Sequence, residues 1–242
     1  MNLTKEGLAR MIDQSLLRPD ATEREVVEFC LEAKRYGFGA IAVNPAYLEL
    51  AADLLKGSGI RLVASISFPL GACTIDVKAF ETKDAVRRGA DEVDMVLNIG
   101  AIKSGRYDVI EREMQALVAA AKGKTTKVIL ETCFLSEEEI VQTCLIAKKA
   151  GVDFVKTSTG FGPAGATVEI VRLMRQTVGS GMGVKAAGGI RTFEDAVAMI
   201  RAGADRIGTS SGVAILEGYE QMRKKGHELK ERAGKGGDKR VE

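Results

Sequence analysis

Short apolar runs and longer amphipathic stretches alternate along the whole chain. The runs are MIDQS (11–15), AIAV (40–43), RLVASISF (61–68), EVDMVLN (92–98), KVILET (127–132), FVKTS (154–158), VKAAG (184–188) and RIGTS (206–210). Each is too short for a stable helix and is bounded by turn residues, so each predicts a strand. MIDQS is the weakest, because it also continues a helix that opens near Thr4. The stretches between them predict helices over 22–36, 45–56, 74–88, 107–122, 136–150, 167–178, 192–202 and 212–232. Thr22 with Glu25 and Ser136 with Glu139 have capping-box spacing, and Thr74, Thr167 and Thr192 stand where a hydroxyl accepts from first-turn amides. The joints RRGADEVD, KKAGVDFVK and RAGADRIG repeat one device, in which Gly89, Gly151 or Gly203 turns left-handed before the next strand.

Eight strand–helix units with short joints predict an α/β fold, a single (β/α)₈ TIM barrel preceded by a short N-terminal helix. An open doubly wound sheet is the alternative, because the first strand is weak. The barrel domain is read over residues 1–232. The remaining AGKGGDKRVE, residues 233–242, has too few apolar residues to pack and is expected to be a flexible tail.

Charge removes several function classes. With 35 basic and 33 acidic residues the net charge is +2, far from the basic excess of a nucleic-acid binder. The first twenty residues carry Lys5, Glu6, Arg10, Asp13 and Arg18, which leaves no apolar signal segment, and no later run is long enough to span a membrane. A cytoplasmic protein without a membrane partner is expected. Cys30, Cys73, Cys133 and Cys144 form no CxxC pair and are read as reduced core thiols. The lone histidine, His227, argues against a His-ligated metal site or a Ser-His-Asp triad.

In a barrel, polar residues at the C-terminal ends of strands line the mouth that carries chemistry. Lys156 on the sixth strand and Lys185 on the seventh are such residues, and Asp94 and Asp13 interrupt the fourth and first strands. Bringing a lysine from about 10.4 to about 7 takes roughly 4.6 kcal/mol. A second ammonium about 4 Å away supplies on the order of 1 kcal/mol in water but about 4 at an effective dielectric near 20. A partly buried pair therefore leaves one amine able to attack a carbonyl, and Lys156 is the candidate nucleophile. The plain alternative is that both lysines satisfy a carboxylate such as Asp94, which would then neutralise charge and move no proton.

Two glycine-rich turns, AAGGI and GTSSG, follow the seventh and eighth strands, where many barrels hold phosphate. Gly188, Gly189 and Gly208 permit close approach of backbone amides. Ser210 and Ser211 add hydroxyls, and the helix opening near Gly212 would present unpaired amides, so that no arginine is required. Taken singly, each turn also reads as an ordinary tight loop. Thr159 and Gly160 in KTSTG are candidate substrate contacts or merely turn residues. Cys133 can face the mouth but lacks a histidine partner for thiolate catalysis, and Glu131 is read as a structural partner.

The segments IDQSLLRPDAT, SFPLGA, EVDMVLNIGAIKSG, FVKTSTGFG and GVKAAGGIRT, in this order, resemble the deoxyribose-phosphate aldolase family over nearly the whole chain to about residue 232. The resemblance implies a class I aldolase that reversibly cleaves 2-deoxyribose 5-phosphate to glyceraldehyde 3-phosphate and acetaldehyde, without metal or organic cofactor, as a homodimer or larger homo-oligomer. It makes Lys156 the Schiff-base nucleophile, Lys185 the group that lowers its pKa and helps proton transfer, and Asp94 a proton-relay carboxylate supported by Asp13. Gly160, Gly188, Gly189, Ser210 and Ser211 match its phosphate-holding positions. Departures are Gln14, Ser15 and Arg18, where the family often has histidine, threonine and lysine, Ala42 where cysteine is common, and a tail without the terminal tyrosine of some members. Rival readings are a barrel isomerase or decarboxylase working without a covalent adduct, a phosphometabolite-binding module, and a metal-dependent aldolase.

Overall fold

The structure, a computed structural model, describes residues 3–235, with side chains described through residue 224. Helix α1 (Lys5–Met11) precedes β1 (Ile12–Leu16), and the chain continues through α2 (Glu23–Tyr36), β2 (Ala40–Val43), α3 (Leu48–Leu55), β3 (Arg61–Ile66) and α4 (Ile75–Arg87). Then come β4 (Glu92–Val96), α5 (Ile99–Lys103), α6 (Tyr107–Ala121), β5 (Thr125–Ile129), α7 (Glu137–Ala150) and β6 (Phe154–Lys156). The chain ends with α8 (Val168–Val178), β7 (Gly183–Ala187), α9 (Phe193–Ala202), β8 (Arg206–Thr209) and α10 (Gly212–Lys235). All strand pairs are parallel, and β1 pairs with both β2 and β8, so the sheet closes into a barrel. MIDQS is thus divided, Met11 ending α1 and Ile12 opening the first strand.

The capping signals form as the sequence predicts. Thr22 with Glu25 and Ser136 with Glu139 make reciprocal capping boxes, and Thr192 with Asp195 makes another. Three expectations need correction. Pro at the start of the 45–56 stretch yields a short 3₁₀ turn, Pro45–Tyr47, before α3 begins, and α5 lies in a segment read as a joint. Helix α10 runs to Lys235, past the expected boundary at 232, and the rest of the proposed tail lies outside the described residues. Cys30 and Cys144 are buried, their thiols pushed up by burial to about 11 and about 12, but Cys73 is exposed and Cys133 half-buried.

Strand alternation sends Ile41, Val43, Leu62 and Ala64 into the main apolar core and leaves Ala40, Ala42 and Val63 as a small separate cluster. Where most barrels fill the interior with branched apolar residues, this one packs charged side chains, among them Asp13, Glu92, Asp94, Lys127 and Lys185, each with at most 1% exposure. Among the described residues, no helix is long and apolar enough to cross a membrane.

Candidate active site

Strand register creates the site. Lys156 lies beside Lys185 across β6 and β7, Asp94 beside Lys127 across β4 and β5, and Asp13 beside Gly208 across β1 and β8. Asp94 Oδ2 accepts from both Lys156 Nζ and Lys185 Nζ at 2.9 Å, while its Oδ1 accepts from Lys127 Nζ at 2.7 Å. Gly208 makes room for this arrangement. A Cβ there would stand 3.0 Å from Lys185 Cε and 2.9 Å from the Ala187 methyl, so glycine lets the Lys185 stem pass.

The ion pairs close on themselves. Lys185 reaches Asp13 at 2.5 Å, Asp13 meets Arg206 at 3.2 Å, and Arg206 grips Glu92 with two hydrogen bonds of 3.0 Å. Glu92 meets Lys127 at 2.5 Å, and Lys127 returns to Asp94. Three carboxylates and three cations alternate around this circuit, which is neutral within itself. Two further cations hang on it, the buried Lys156 through Asp94 and the partly exposed Arg61 through Glu92 at 3.2 Å. Lys127, Glu92 and Arg206 were not singled out from the sequence. Glu92 and Arg206 open their strands and Lys127 opens the run KVILET, where a charged residue looks like a solvated strand end, although β5 in fact begins at Thr125 and places Lys127 at its centre.

Electrostatics separates the two lysines. Burial brings Lys156 down to about 8, with the Lys185 and Lys127 ammoniums adding to the effect and Asp94 opposing it. About a tenth of Lys156 is then neutral at pH 7, against about 0.03% for an ordinary lysine. Loss of water, rather than the neighbouring ammonium expected from the sequence, is the larger cause. Burial would lower Lys185 too, but Asp13 and Asp94 outweigh it and raise Lys185 above the usual lysine value. Burial would raise Asp94 and Asp13, yet the surrounding cations hold Asp94 well below the carboxylate range and bring Asp13 to about 2.

Lys156, Lys185 and Asp13 open onto a cavity of about 340 Å³ at the C-terminal ends of the strands, whereas Asp94 stands behind them. Thr159, Gly160, Gly188, Gly189, Gly208, Ser210 and Ser211 all line the same cavity. Thr159 is already engaged: its amide donates to Glu131 Oε1 at 3.2 Å, and its hydroxyl donates to Glu131 Oε2 while accepting from the Phe161 amide. Glu131, buried and left-handed at φ 54°, is therefore the strut of the β6 loop, as its reading as a structural partner anticipated. Two expectations for the anion cradle change. Arg18 and Arg191 line the cavity, so its wall is not free of arginine. The Gly212 amide at the start of α10 donates to Gln14 and the Ser211 amide to Thr209, which leaves neither unpaired. Cys133 sits in a 3₁₀ turn and does not line the cavity.

A family model described as DeoC/LacD family aldolase matches residues 8–218. The chain belongs to the DeoC/LacD aldolase family. Its relatives include the deoxyribose-phosphate aldolase of Streptococcus sanguinis (strain SK36), 59% identical over 213 residues that cover 88% of this aldolase and 97% of the relative. Another, from Geobacillus sp. (strain WCH70), is 56% identical over 215 residues, covering 88% and 96% of the two chains. A solved tetrameric deoxyribose phosphate aldolase from Aeropyrum pernix superposes with a TM-score of 0.85 at 37% identity, over 90% of this aldolase and 93% of that chain.

Proposed function

We propose that this aldolase reversibly cleaves 2-deoxyribose 5-phosphate to glyceraldehyde 3-phosphate and acetaldehyde through a Schiff base on Lys156. The observation that carries the reading is the buried lysine held on an ionic circuit through Asp94, brought to about 8 and opening into a cavity that glycines and serines also line. The names of its relatives supply the substrate.

In the cleavage direction, neutral Lys156 Nζ adds to C1 of the open-chain sugar, and loss of water gives an iminium. A water held by Lys185, with the Asp94 carboxylate behind it, accepts the C3 hydroxyl proton. The C2–C3 pair moves toward the iminium to form an enamine, and C3 leaves as the aldehyde carbon of glyceraldehyde 3-phosphate. Protonation at C2 and hydrolysis release acetaldehyde and restore the amine. The proton passes from this water along Lys185 and Asp94 and is delivered to C2 of the enamine, so that Lys185 ends the cycle protonated and Asp94 ionised, as each began it. Gly160, Gly188, Gly189, Ser210 and Ser211 hold the phosphate, whose binding orients the sugar on Lys156.

The reading also makes the enzyme cytoplasmic and homo-oligomeric, the latter supported by the tetrameric Aeropyrum pernix relative. Incubation with 2-deoxyribose 5-phosphate tests the function. Acetaldehyde and glyceraldehyde 3-phosphate are expected in equal amounts, and an unconsumed or isomerised sugar phosphate would refute it.

A further inference from the structure

We propose that Gln14 and Thr209 are positioning residues that preset the anion cradle and so set the preference for a phosphorylated sugar, a proposal that rests on reading the cradle as the phosphate subsite. The two are register partners across β1 and β8, with 4% and 6% exposure. Gln14 Oε1 accepts from the Gly212 amide at 2.9 Å, and its Nε2 donates to the Ser210 carbonyl at 3.3 Å. Thr209 Oγ1 accepts from the Ser211 amide at 2.9 Å and donates to the Ile190 carbonyl at 2.7 Å. One side chain thus pins the β8 loop to β1, and the other ties it to the loop after β7.

The brace has no slack. A Cβ on Gly212 would stand 2.7 Å from Gln14 Oε1 and 2.9 Å from the Phe38 ring, so the start of α10 is seated directly on both. With the Gly212 and Ser211 amides engaged, the donors left to an anion include the Gly160, Gly188, Gly189 and Ser210 amides, which meet no protein acceptor among the described residues, and the Ser210 and Ser211 hydroxyls. Their spacing is fixed before a ligand arrives, so binding orders little and the anion's hydrogen bonds appear as affinity. Gln14 is also uncharged, which lets it hold an amide beside the cradle without repelling phosphate.

The test compares kcat/KM for 2-deoxyribose 5-phosphate with that for unphosphorylated 2-deoxyribose, in Gln14→Leu and Thr209→Val. Either substitution keeps the volume and removes the hydrogen bonds. The ratio of the two values is expected to fall about tenfold in each, mainly through KM, with inhibition by inorganic phosphate weakened by the same factor. A ratio that holds in both variants overturns the proposal, as does activity lost on both substrates alike, through misfolding or otherwise. Wild-type enzyme that does not distinguish the two sugars would instead refute the phosphate reading of the cradle, before any variant is compared.

Discussion

Lys127 and Asp94 face each other in register across β5 and β4, and the Lys127 ammonium lies 2.7 Å from Asp94 Oδ1 with neither side chain exposed. This pair governs how the lysines at the mouth share charge. Because Lys127 holds one Asp94 oxygen, both mouth lysines converge on the other. Because the circuit through Arg206 and Asp13 is already balanced, the proton on Lys156 is the one most readily removed.

Replacing Lys185 by leucine removes a cation beside Lys156 and leaves Asp94 and Asp13 undercompensated. Both changes favour protonated Lys156. The pKa controlling imine formation is expected to rise from about 8, and each unit lowers the neutral fraction at pH 7 about tenfold. The pH dependence of the single-turnover rate with acetaldehyde checks this, and an unshifted profile would count against it.

Lys127 is sealed from the cavity, so it acts on Lys156 only through charge. In Lys127→Met the same profile is expected to shift to higher pH, less than in Lys185→Leu, with KM nearly constant. A change confined to KM would contradict this role.

Asp94→Asn leaves three buried ammoniums with one fewer anion. Breaking a buried pair by deleting one partner typically costs about 3–5 kcal/mol, and a loss of that size is expected in urea unfolding at pH 7. Stability within about 0.5 kcal/mol of wild type would mean the circuit tolerates the missing charge.

Lys156→Met is expected to abolish turnover yet raise thermal stability. Holding an ammonium in the core against a shift from 10.5 to about 8 costs up to about 3 kcal/mol at neutral pH. That penalty is full below the folded value and vanishes above the unfolded one. The advantage of the variant should therefore shrink as pH rises from about 8 to 10.5, and a Tm below wild type at pH 7 would contradict the prediction.

The acid limb has the opposite sign. Asp13 falls from 3.8 unfolded to about 2 folded, so its contribution, on the order of 2 kcal/mol, is present above about pH 4 and disappears as pH drops toward 2. Asp94 shifts in the same direction. Unfolding free energy measured over that window should decline steeply in wild type and less steeply in Asp13→Asn.

Much of the molecule was legible in the chain because its signals are local. Period, capping boxes and the Gly89, Gly151 and Gly203 joints read out the strand–helix units, and strand-end polarity picked Lys156, Lys185, Asp94 and Asp13. Barrel closure is not local. It brings Arg206 at the start of the last strand onto Asp13 of the first and Glu92 of the fourth, a meeting that no spacing along the chain announces. The 3₁₀ turn at Pro45 and the engagement of Gly212 by Gln14 likewise depend on which loop meets which.

The central claim, that burial beside a balanced ionic circuit makes Lys156 the reactive amine, is tested most directly by reducing the enzyme–acetaldehyde mixture with borohydride and mapping the adduct by peptide mass spectrometry. A single ethyl group on Lys156, formed with an apparent pKa near 8, is the predicted result. Labelling of Lys185 or Lys127 in its place, or no adduct at all, would contradict the account.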